Sequence, residues 1–181
     1  MGVAHFNGVG DGANCLFFQR SSTSVPELST TDNPIVADRT VAITSLVIDA
    51  NSELPEIQRH QAELLLLEGD FAAANAAATA SLAGARDLGM TLEEGMTLRV
   101  LGTAQTRMGA NADAAASFAA SVALLDERSP YDAARTRLAW ARMLLATGAT
   151  AEAETQLVRA HAWLHKLGAQ REMNELLHLL T

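Results

Sequence analysis

Cysteine is nearly missing from this chain of 181 residues, where Cys15 stands alone. A single thiol excludes an internal disulfide framework and a cysteine-built zinc site. Aromatic residues are scarce too, with five Phe, two Trp and one Tyr. Proline occurs only four times, so little interrupts a helix. Positive charge is outnumbered, thirteen Lys and Arg against twenty-one Asp and Glu, for a formal net charge of −8. That balance argues against a general nucleic-acid or anionic-membrane binder, since both need clustered basic side chains. No apolar run approaches the roughly 18 residues of a membrane-spanning helix. The first residues show no basic stretch followed by a hydrophobic one, so the expectation is a cytoplasmic chain without a secretory signal.

What the chain does hold, in abundance, is alanine and leucine. Both lose little conformational freedom in a helix, so the composition points to an all-α fold. The style changes near residue 50. Residues 1–33 carry Gly8, Gly10 and Gly12 and the polar runs Arg20-Ser21-Ser22-Thr23-Ser24 and Ser29-Thr30-Thr31-Asp32-Asn33. They read as an irregular N-terminal segment. The apolar patch Cys15-Leu16-Phe17-Phe18 lies among them. Residues 34–54 read as a degenerate repeat helix or an N-terminal cap. Asp32 or Asn33 can cap a helix starting at Pro34, and Ile43, Leu46, Val47 and Ala50 follow at helical spacing. The β-branched run Thr40-Val41-Ala42-Ile43-Thr44 leaves a strand open as the alternative.

From Pro55 to Thr181 the pattern is periodic. Gly69, Gly109 and Gly148 each close an amphipathic stretch, and a second amphipathic stretch follows each. The glycines are almost evenly spaced, which defines a repeat of about 40 residues. The boundaries carry their own chemistry. Thr91-Leu92-Glu93-Glu94 has the form of a capping box, Ser129-Pro130 that of a serine cap before a first-turn proline, and Leu88-Gly89 and Leu167-Gly168 that of glycine closures. The expected helices are 55–68, 71–87, 91–108, 112–126, 130–147, 150–167 and 169–180. Three hairpins and a final helix suit a short solenoid, in which each pair buries its face on the next. Phe71 through Ala78 can be read as low complexity, but its place after a turn glycine favours a tightly packed second helix.

This region resembles a tetratricopeptide repeat (TPR) array. With each turn glycine at the family's position 15, Leu98, Leu101, Gly102, Ala114 and Phe118 fall on consensus positions of the second repeat. Trp140, Ala141, Leu144, Ala153, Leu157 and Ala160 do so in the third, and Ala62, Leu65, Phe71 and Ala74 in the first, where Gln61 departs. The period exceeds the family's usual one, and its terminal proline is missing. Long-period arrays of this kind look like the sensory regions of bacterial signalling proteins and transcription activators. The resemblance implies a right-handed α-solenoid of three TPR-like hairpins with a C-terminal capping helix. It also implies that the first helices line a concave groove. Glu56, Glu63 and Leu67, Thr103 and Thr106, and Ala146 would share that groove with the candidate partner-binding residues Arg59, Leu66, Met96, Arg99, Arg107, Arg135, Leu138, Arg142 and Leu145.

Five of the ten arginines after residue 55 thus fall on one face. Guanidinium groups recognise carboxylates in a planar, bidentate way, so the groove is expected to take an acidic protein or peptide segment, its leucines and methionine gripping apolar side chains. The competing reading is local pairing, Arg59 with Glu56 and Glu63 and Arg135 with Asp132. The family's carboxylate clamp is not reproduced, because Thr103 and Arg142 stand where Asn is usual. His161 and His165 lie one turn apart but are too few for a metal site and lack a zinc-protease glutamate. Gly8-Val9-Gly10-Asp11-Gly12 lacks the Lys-Ser/Thr of a phosphate loop. Cys15 has no nearby basic residue to activate it, and no nucleophile turn is present. The expectation is a non-catalytic protein-interaction module with no cofactor, metal, nucleic acid or membrane partner. The alternative is a self-associating regulatory fragment, in its simplest form a homodimer, of a larger signalling or transcription-activator protein.

Overall fold

A computed structural model describes residues 53–180. The expectations for residues 1–52 lie outside the described residues. The described part is all-helical, with no strand and seven helices. They are α1 (53–68), α2 (Phe71–Asp87), α3 (Thr91–Arg107), α4 (Asn111–Leu125), α5 (Pro130–Ala146), α6 (Thr150–Leu167) and α7 (Gln170–Leu179). Each boundary falls within two residues of the place the glycine spacing predicts.

The turns repeat one hydrogen-bond scheme. At Gly148 the backbone has φ +81°, a left-handed conformation that a side chain would strain. The next amide, Ala149 N–H, then reaches back to the Leu144 carbonyl at 2.8 Å. This bond satisfies a carbonyl that the helix end would otherwise orphan. The same five-residue reach joins Asp70 to Leu65, Met90 to Ala85, Ala110 to Gln105 and Ala169 to Leu164.

Two expected caps are built differently. At α3 the tight turn lets the Met90 carbonyl accept from Glu94 N–H at 2.8 Å, so Met90 is the cap and Thr91 already lies inside the helix. Glu94 instead accepts from Arg86 Nε at 2.7 Å. The capping box is therefore not formed. Ser129 does precede Pro130 as the cap of α5, but its hydroxyl donates to Asp132 Oδ2 at 2.7 Å rather than accepting from the backbone.

From α2 onward, packing runs from each helix to its neighbour in the chain, and in addition α3 lies against α5 and α5 against α7. The result is a helical repeat-like bundle. Small residues permit the close approaches: Ala74, Ala78, Ala114 and Ala153 are fully buried. At Gly102 a Cβ would sit 2.9–3.1 Å from three atoms of the Phe118 ring, so only hydrogen fits there. Phe118 stacks on Trp140 of α5, with ring centroids 6.4 Å apart. Trp140 is partly buried against the larger apolar core, which runs from Ala114 to Leu176. A smaller core joins Ala62, Ala78, Leu82, Leu98, Val100 and Leu101.

A polar joint also recurs with the period of the glycines. Buried Ser81 of α2 donates to the Pro55 carbonyl of α1 at 2.7 Å and pairs with Thr97 of α3 at 3.0 Å. Buried Ser121 of α4 donates to the Gly95 carbonyl of α3 at 2.7 Å and pairs with Thr136 of α5 at 3.0 Å. Each second helix thus wedges one hydroxyl between two first helices. No group is left unsatisfied in these joints, which is the condition for burying hydroxyls without loss.

Candidate functional site

The first helices α1, α3 and α5 and the last helix α7 are linked by a second recurring device, an ion pair. Arg59 of α1 donates to Glu93 of α3, and both side chains are buried. One period later Arg99 of α3 donates to Asp132 of α5 at 3.3 Å. Glu63 ties the two together, lying 3.3 Å from Arg59 and 3.4 Å from Arg99. Asp132 also holds Arg135 at 3.5 Å and the Ser129 hydroxyl. Burial, and then the like charge of Arg135, push the Arg99 guanidinium below its ordinary pKa, while Asp132 and Glu63 oppose the shift. A buried arginine needs such partners, because an uncompensated guanidinium inside a protein is costly.

At α7 the series changes. The residue one period after Arg99 is Leu138, so Glu172, one period after Asp132, has no arginine from that position. It accepts instead from the Tyr131 hydroxyl at 2.8 Å, which raises the Tyr131 pKa. Glu175 pairs with Arg142 at 2.8 Å. Here a cavity of about 180 Å³ opens, lined by Arg99, Thr103, Arg135, Leu138, Ala139, Arg142, Arg171, Glu172 and Glu175. An adjoining open depression of about 510 Å³ shares Arg142, Arg171 and Glu175 with it. Arg171 is exposed and has no carboxylate at ion-pair distance among the described residues.

Of the residues named from the sequence, Arg99, Arg135, Leu138 and Arg142 are brought together at this cavity. Arg59 is buried at the α1 end. Arg107 is exposed and lies over the Phe71 ring, 5.8 Å from its centroid. Leu66 and Leu145 pack against the two cores, and Met96 is partly buried on α3. The local pairs weighed as the competing reading are present, Arg59 with Glu56 and Glu63 and Arg135 with Asp132. The arginines on this face are thus largely matched by the chain's own acids.

Four charged groups escaped the sequence reading. Arg171, Glu172 and Glu175 lie on the helix after the third repeat, and moving Asp132 and Arg135 on by one period finds the two glutamates. Arg137 carries no such signal. Its side chain is buried where α3 has Leu98, and it reaches Asp126 in the α4–α5 turn at 2.8 Å. That hydrogen bond holds the Asp126 carboxyl below its usual pKa. His161 and His165 are exposed with their rings 5.8 Å apart, and no cluster of three or more metal-ligating side chains occurs among the described residues. None of the described helices is long and apolar enough to cross a membrane. No protein-family model, curated protein or solved structure matches the chain.

Proposed function

We propose that this chain is a non-catalytic, TPR-like interaction module of bacterial signalling or regulation, a right-handed solenoid that binds an acidic protein or peptide segment in its concave groove. The observation that carries this reading is the cavity between α3, α5 and α7, where Arg99, Arg135, Arg142 and Arg171 converge beside Leu138. Arg142 and Arg171 are the exposed members and meet the ligand first. Arg99 and Arg135 stay engaged with Asp132 and serve to set the charge of the floor. Charge complementarity of this kind governs orientation and association rate more than final affinity.

The test is binding of a fluorescent peptide of alternating Glu and Leu, read by anisotropy at low and moderate salt. The native chain is compared with an Arg142→Glu, Arg171→Glu variant of unchanged helicity. Arg99 is left intact, because a glutamate there would face Glu63 and Asp132 and unsettle the fold. The expected outcome is a loss of about tenfold or more in affinity, equivalent to about 1.4 kcal/mol. Equal binding by both proteins, or none by the native chain, refutes the groove.

A further inference from the structure

One ion pair on the face of the first helices stands outside the repeating series. Arg59–Glu93 and Arg99–Asp132 follow one another by the period, and their arginine side chains are only 7% and 8% exposed. The next step of that series leads to Leu138 and Glu172, where no ion pair is possible. Arg142–Glu175 lies about one turn further along both helices. Moved back by one period, its positions hold Thr103 and Arg135, which cannot form an ion pair either. The pair is also open to water, its side chains 52% and 31% exposed. Burial makes the earlier pairs structural, because neither charge can be left alone there. A pair in contact with water contributes little to stability and changes partners at small cost.

We propose that Glu175 is an internal competitor for the ligand: its carboxylate holds Arg142 while the groove is empty, and an acidic side chain of the bound segment takes that arginine by displacing it. The proposal rests on the groove reading and adds the residue that sets its threshold. Glu175 lines both the cavity and the adjoining depression, in each case with Arg142 and Arg171. It lies one turn after Arg171 on α7, and Arg171 has no carboxylate at ion-pair distance among the described residues. The two exposed arginines thus differ. Arg171 takes a ligand carboxylate directly, whereas Arg142 exchanges one carboxylate for another. The neighbouring Glu172 is no competitor of this kind, because it is engaged by the Tyr131 hydroxyl rather than by an arginine. A segment with two acidic side chains in reach of both arginines is therefore the one this site favours, and a lone acid bound at Arg171 leaves the internal pair intact.

Peptide binding by the full chain tests it, with the alternating Glu and Leu peptide and anisotropy as the readout. The native protein is compared with Glu175→Gln and with Glu172→Gln, which removes the same charge from the same cavity without freeing Arg142. The expected result is that Glu175→Gln binds about three- to fivefold more tightly, the range that release of a water-exposed pair provides, while Glu172→Gln stays within about twofold of native. A disturbed α7 would weaken binding, so misfolding cannot imitate the gain. Equal or weaker binding by Glu175→Gln overturns the proposal, and it leaves the groove standing when the Arg142→Glu, Arg171→Glu variant still loses the peptide. An equal gain in both glutamine variants overturns it as well, since overall charge then explains the effect. Binding by none of the three overturns this proposal and the groove reading together.

Discussion

Gly102→Ala is the sharpest probe of the helix packing. In an open helix interior, replacing glycine by alanine stabilises by about 1 kcal/mol. At position 102 the new methyl would lie 2.9, 3.0 and 3.1 Å from three atoms of the Phe118 ring. That ring is fully buried and stacked on Trp140, so it yields only by displacing its neighbours. Overpacking of a confined core costs about 1–3 kcal/mol. The steric cost exceeds the propensity gain, and the net loss is about 1 kcal/mol. Urea unfolding followed by helical ellipticity measures it, repeated in a Phe118→Leu background. There the methyl has room, and the same substitution turns neutral or stabilising, a coupling of about 1–2 kcal/mol. A Gly102→Ala protein more stable than native, with no coupling to position 118, would refute the close approach of α3 and α4.

Ala153→Leu destabilises by about 1–3 kcal/mol, since Ala153 is fully buried where α6 enters the main core, and an unchanged unfolding midpoint would break the repeat register. Ser121→Ala removes the second hydrogen bond to the Gly95 carbonyl, which α3 itself already engages, together with the pairing to Thr136, and costs about 1 kcal/mol by the same assay. Asp126→Ala leaves the Arg137 guanidinium buried without its acid and costs about 3 kcal/mol, whereas Arg137→Met releases a half-exposed carboxylate to water and costs less; the reverse order would show that the pair is not what fills that position. Because the folded Asp126 pKa lies below its ordinary value, its stabilisation is present above about pH 4 and lost as pH falls through the folded pKa. Asp126→Asn should flatten that acid limb, and an identical pH profile in both proteins counts against the Arg137 bond.

The helices were legible because the glycine interval, the alanine spacing and the boundary residues are all local signals. Partnerships were not. Arg59 and Glu93 are 34 residues apart, and no rule of helical spacing joins them. The period does join them once it is applied to charges as well as to glycines: Glu93, Asp132 and Glu172 recur with it, and so do Arg59 and Arg99. Arg137 escaped for another reason, since its acid sits in a turn rather than on a facing helix. Thr91 misled because the capping box is a sequence pattern of a free helix start, and the preceding glycine turn had already set where α3 begins.

The two matched joints have a consequence for how such a chain can change in length. The surface that α1 and α2 offer to α3 is remade, bond for bond, by α3 and α4 for α5. One whole unit copied in tandem would therefore arrive with both halves of its own coupling, and the insert would need no new complementary surface. Growth by whole units is open to this architecture at its centre. At the C-terminal end Leu138, Ala160 and Leu176 stand in place of the arginine, serine and threonine, so α7 is joined there through the apolar core and without the repeated polar coupling.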